Sequence, residues 1–138
     1  MEHWKTLILS GNQAFSNEDY LLAAEKYQHC TVVAKEQMEL WFDTQTALTA
    51  LSVSYLNLAE TQCRLGQFSE AIDSYASLSS LLREFQSRFT PSNPIAGHVE
   101  QAMTRVKQEF LALTHTYAND IVEVKHHKQA LIKAIGAS

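Results

Sequence analysis

Residues 54–82 read SYLNLAETQCRLGQFSEAIDSYASLSSLL, and this stretch decides the fold. Tyr55, Leu58 and Ala59 stand at i, i+3 and i+4, which is one face of a helix. After Gly66, the residues Phe68, Ala71, Ile72, Tyr75 and Leu78 form a second such face. Glycine ends a helix readily because it adopts the left-handed conformation without a Cβ penalty, so Leu65-Gly66-Gln67 is the turn between two amphipathic helices. Ala59 and Ala71 let the two backbones approach, and Phe68 and Tyr75 fill the space beside them.

An earlier stretch, GNQAFSNEDYLLAAEKYQHC, repeats the pattern. Leu7, Ser10, Gly11, Phe15, Tyr20, Ala23, Ala24, Tyr27 and Cys30 each lie 48 residues before Tyr55, Leu58, Ala59, Cys63, Phe68, Ala71, Ile72, Tyr75 and Leu78 (for example 55 − 7 = 48). The order tyrosine, leucine, small residue, then glycine, aromatic, alanine, tyrosine resembles a tetratricopeptide repeat, a family of paired helices with a period of about 34 residues. The excess of roughly 14 residues falls between Cys30 and Tyr55. Divided between the second helix of one repeat and the first of the next, it lengthens each by about two turns, or ~10 Å, and the two extensions would pack on each other. The resemblance implies an all-α chain of antiparallel hairpins forming a short right-handed α-solenoid of about six helices.

Composition agrees with a helical domain. The chain has 138 residues, and 46% hydrophobic with 19% charged residues is ordinary for a globular protein. Four glycines and two prolines leave little room for long loops. The net charge of −4 argues against nucleic acid or an anionic membrane surface as the main partner, since both are bound through basic patches. Through Glu60 the chain carries eight acids (Glu2, Glu18, Asp19, Glu25, Glu36, Glu39, Asp43, Glu60) against Lys5, Lys26 and Lys35, a distribution suited to a basic peptide or simply to a solvated helix surface. Cys30 and Cys63 fall where the pattern buries side chains, so they read as small core hydrophobes and free thiols. The N-terminus MEHWKTLILSGN has too short an apolar run for a signal peptide, and no stretch reaches the ~20 apolar residues of a membrane span. The expected compartment is the cytoplasm.

Along the chain, helix one is expected from Glu2 or His3 to Phe15 and helix two from Asp19 to Trp41, with the polar turn Ser16-Asn17-Glu18-Asp19 between them. Asp43 and Thr44 cap a third helix reaching Leu65, and a fourth spans Phe68 to Phe89. Thr90-Pro91-Ser92-Asn93-Pro94 is the clearest break. Beyond it Ile95, Val99, Ala102, Val106, Phe110, Leu113 and Tyr117 mark a long amphipathic helix. The tail is either one helix of about 40 residues or two, and the capping-box spacing of Asp120 and Glu123 favours a break at Asn119. Repeat one thus covers residues 3–41, repeat two 44–89, and a capping pair 94–135, all in one domain of residues 1–138.

No catalytic motif is present: there is no GxSxG, Walker loop or HExxH, so neither an enzyme nor a cofactor is expected. His126 and His127 are adjacent and cannot share a metal on one helix face. Glu123 with His127 is the one pair at i, i+4, and a solvated basic tail explains it better than a metal site. Trp4 and Trp41 read as core anchors rather than ligand contacts.

In the resembled family the first helices of successive repeats line a concave groove. That places Lys5, Ile8, Asn12, Phe15 and Ser16 there from repeat one. From repeat two it places Val53, Leu56, Asn57, Glu60, Cys63 and Arg64. Asn12 and Asn57 match two asparagines with which some members clamp a peptide's terminal carboxylate. Ile8 stands where the first lysine of that clamp belongs, however, and no cations align after Pro94. A neutral peptide is the better fit, its main chain held by the asparagines and its side chains against Ile8, Phe15 and Leu56. The expected function is a protein-protein interaction module, an adaptor or chaperone-like protein that binds a peptide segment of a partner. The alternative is a scaffold that dimerises through the long C-terminal helix, burying Val99, Val106 and Phe110.

Overall fold

The structure, a computed structural model, describes residues 1–38, 43–117 and Lys133. Among these residues the chain is all α, with α1 Glu2–Ser16, α2 Tyr20–Gln37, α3 Thr44–Arg64, α4 Phe68–Gln86 and α5 Pro94–Tyr117, and no strand. A sixth helix, the break at Asn119, the pair Glu123 and His127, and Trp41 all fall outside the described residues.

Local chemistry sets the ends. The Asp19 carboxylate accepts from Leu22 N at 3.3 Å and begins α2. Asp43 begins α3 by accepting from Thr46 N at 3.2 Å and from the Thr46 hydroxyl at 2.6 Å, and these bonds hold its carboxyl below the usual range. Asn93 accepts from Ile95 N at 3.0 Å beside Pro94, the first residue of α5. The fourth helix stops three residues short of Phe89. There the backbone tightens, with Arg88 N bonded to Phe85 O and Phe89 N to Gln86 O, ahead of Pro91.

The two hairpin turns are copies of each other. Glu18 N donates to Phe15 O and Asp19 N to Ala14 O, while Gly66 N donates to Cys63 O and Gln67 N to Gln62 O. All four positions are 48 apart (66 − 18, 63 − 15, 67 − 19 and 62 − 14). This is the pairing of a Schellman motif, which needs one left-handed residue. Gly66 takes it at φ 75°, and Glu18 takes it at φ 59° without the freedom of glycine.

Contacts run in opposite directions along each hairpin. Phe15 meets Tyr20 near the first turn, whereas His3 reaches His29 at the far end. Gln62 bonds Ser74 across α3 and α4. In the next pair Gln86 bonds Glu100, Tyr75 packs edge-on against Phe110, and Phe68 meets Tyr117, so α5 is antiparallel to α4. The helices α1, α3 and α5 therefore point the same way, with α3 between the other two. Trp4 Nε1 donates to Ser54 Oγ at 2.7 Å and ties α1 to α3.

The third helix touches all four others, and 11 of its 21 residues are buried. One core lies between α1 and α2 around Leu7, Ala14, Ala23, Tyr27, Cys30 and Leu58. The larger core joins α3, α4 and α5 around Leu51, Tyr75, Leu78, Leu82, Val99 and Phe110, and Ala34 of α2 packs there beside Leu48. Trp4 packs against both. The apolar stripe of α5 is consumed inside the chain: Val99 and Val106 are fully buried and Phe110 is 1% exposed. These three residues, expected at the interface of a dimer, are covered by α3 and α4 within the chain. Cys30 and Cys63 are buried free thiols, and burial pushes each up to about 11.

The two turns respond oppositely to substitution. Nothing lies within 4 Å of a Cβ built on Gly66, so Gly66→Val meets only backbone strain, about 1–2 kcal/mol of destabilisation. Glu18→Gly relieves the same strain at the matching position and should raise stability by about 0.5–1 kcal/mol. Urea unfolding of both variants beside the parent checks the pair. Equal stabilities for all three would refute the shared turn geometry.

Candidate functional site

A strip of exposed and half-buried residues runs along α3 through Gln45, Thr49, Val53, Asn57, Glu60 and Arg64, at steps of four, four, four, three and four. At the C-terminal half of this strip, between α1 and α3, lies an open recess of about 250 Å³ lined by Asn12, Phe15, Ser16, Tyr27, Asn57 and Glu60. Five of the eleven groove residues expected from sequence, Asn12, Phe15, Ser16, Asn57 and Glu60, meet here. Arg64 stands at the edge, its guanidinium 5.5 Å from the Phe15 ring centre and 5.9 Å from that of Tyr20. It also pairs with Glu60 at 3.8 Å, both side chains being 44% exposed, so the ion pair itself stabilises little.

The remaining expected residues sit elsewhere. Ile8 and Leu56 are 7% and 3% exposed and belong to the two cores, which corrects their assignment as apolar groove contacts. They are equivalent positions of the repeat (56 − 8 = 48), and at both the helix rotates the side chain under its neighbours. Cys63 is likewise buried. Lys5 is exposed, pairs with Glu2 at 3.7 Å and does not line the recess.

The sequence reading missed the role of Tyr27. Its hydroxyl donates to Asn12 Oδ1 at 2.6 Å, so that one asparagine is oriented by the fold rather than left open. The Tyr27 ring lies on Gly11, where a Cβ would come within 2.6 Å of Cε1. A glycine inside a helix costs about 1 kcal/mol and commonly marks such a close approach, and this was the available signal. Burial, then the nearby Cys30 and Glu60, push the phenol up to about 12. Asn57 differs from Asn12: its carboxamide has no partner among the described residues and keeps both donors and its acceptor for a ligand.

The recess therefore offers one carboxylate, one free amide, one oriented amide and an aromatic wall stacked by a guanidinium. The chemistry of these groups suits polar main chain or a cation. Among the described residues no three His, Cys, Asp or Glu side chains converge as a metal site, and no helix is long and apolar enough to cross a membrane.

Fold and site together define an all-α helical-hairpin protein with an open polar recess beside its central helix. The chain belongs to the family described as protein of unknown function DUF2753, whose model matches residues 2–134. No curated protein and no solved structure matches it.

Gly11→Ala should destabilise the chain by about 1–3 kcal/mol, because the new methyl group overlaps a ring that is itself packed in the core. Alkali tests the buried hydroxyl. A folded-state pKa above the unfolded value favours the protonated native form, so this stability is present below about pH 9–10 and is lost as pH rises toward 12. Unfolding free energy should fall between about pH 9 and 12, and by less in Tyr27→Phe. An identical fall in both proteins would remove Tyr27 from the account.

Proposed function

We propose that this chain is a tetratricopeptide-like interaction module whose face formed by α1, α3 and α5 binds an extended peptide segment of a partner protein. The observation that carries this reading is the recess between α1 and α3, where Asn57 keeps an unpartnered carboxamide beside the Glu60 carboxylate. An extended main chain presents an amide donor and a carbonyl acceptor at each residue, which a carboxamide matches with its own acceptor and donors. The repeated turns and the parallel placement of α1, α3 and α5 support a short solenoid in which first helices line one face. An adaptor or chaperone-like role follows, without catalysis. The scaffold reading draws no support from Val99, Val106 and Phe110, which are buried within the chain.

Asn57→Ala with Arg64→Ala removes one unpartnered amide and one half-exposed cation, so folding should change by under about 1 kcal/mol. Loss of a peptide-anchoring hydrogen bond costs about 1–3 kcal/mol of binding, and the double variant should bind the parent's peptide ligands roughly tenfold or more weakly. Panning the parent against a random peptide library and measuring Kd by fluorescence anisotropy with both proteins provides the check. Unchanged affinities, or a collapse of stability with binding retained, would refute the groove.

A further inference from the structure

A second recess of about 200 Å³ opens at the other end of the same α3 strip, between α3 and α5. It is lined by Gln45, Leu48, Thr49, Ser52, His98, Gln101, Ala102 and Arg105. Ser52 is the informative residue. It is only 5% exposed, and its Oγ has no hydrogen-bond partner. On the same helix Thr49, Ser54 and Thr61 each donate to the carbonyl four residues back. A buried hydroxyl that forgoes this bond carries a desolvation cost that a ligand acceptor removes.

The surrounding polar groups can each donate. Gln45, His98 and Gln101 have no side-chain partner among the described residues. Arg105 gives its Nε to Glu109 at 3.1 Å, which leaves both Nη groups unpartnered. No carboxylate lines this recess, whereas the α1–α3 recess holds Glu60 and no cation in its lining. The two charges, Arg105 and Glu60, are held only by exposed partners one turn away on their own helices, pairs that stabilise little and yield to a ligand's charge.

We infer that the α3–α5 recess is a binding site for an acidic side chain of the partner segment, received by the Ser52 hydroxyl and Arg105. In the same segment a basic side chain then enters the Glu60 recess. The inference rests on the peptide-groove reading and assigns that groove its charge order. The α3 residues of the two recesses are centred about ten positions apart, so the recesses lie roughly 15 Å apart along the helix axis. They flank α3 on opposite sides, and the added sideways step makes the path about five residues of extended chain.

The test uses fluorescein-labelled 12-residue peptides of serine, alanine and glutamine, each carrying one lysine and one glutamate. The pair is placed in both chain orders and separated by one, five or nine positions. Anisotropy with the full chain should show tightest binding at a separation of five. Glutamate→glutamine in that peptide should weaken binding roughly tenfold, as should Arg105→Ala in the protein, with a smaller loss for Ser52→Ala. Circular dichroism confirms that each variant is folded, and Arg105, exposed on α5, is not needed for the core. Binding that falls with Glu60→Gln but ignores the glutamate, its spacing and Arg105 overturns this inference and leaves the peptide groove standing. No binding to any peptide of the set overturns both.

Discussion

Everything in this structure depends on burying α3 from four sides at once. A helix in that position cannot be amphipathic in the usual sense, because apolar or small residues are needed around most of its circumference. The sequence meets the demand with Ala47, Ala50, Ser54, Ala59 and Thr61 at close approaches and Leu48, Leu51, Leu56 and Leu58 in the wider gaps. The buried hydroxyls of Ser54 and Thr61 bond the carbonyl one turn back, so small polar residues serve as packing groups without an unsatisfied oxygen. The strip from Gln45 to Arg64 stays exposed or half-buried, and both recesses open there.

What local chemistry determines was readable in advance. Asp19, Asp43 and Gly66 start or stop helices through bonds to residues three or four positions away, and Pro94 does so through its fixed φ, so the sequence alone places them. The position of a side chain around its helix depends on distant neighbours, and there the reading failed twice in the same way. Ile8 and Leu56, equivalent residues of the two repeats, were assigned to the groove and lie in the cores. Glu18 was not legible either: glutamate has no preference for the left-handed region, and only the copy of the turn around Gly66 explains why it is there.

The site was half legible for a related reason. Asn12, Phe15, Asn57 and Glu60 project toward one recess because α1 and α3 are parallel, which follows once two hairpins stack. The bond from Tyr27 to Asn12 comes from the second helix of the first hairpin and depends on how deeply its ring sinks over Gly11. That depth is a packing property, invisible to spacing. The unpartnered Ser52 hydroxyl is of the same kind, since nothing in its sequence context separates it from Ser54, which is bonded.

Trp4 touches both cores at once, and Leu58 reaches the first core from the same helix whose Leu56 and Ala59 belong to the second. In long arrays of repeats each unit contacts only its neighbours, and units can melt one after another. Here there is no seam along which the first hairpin can peel away with its apolar surface intact. Denaturation should consequently be one cooperative event, and once Trp41 is replaced by phenylalanine the indole of Trp4, bonded to Ser54, reports on the integrity of both halves in a single fluorescence signal.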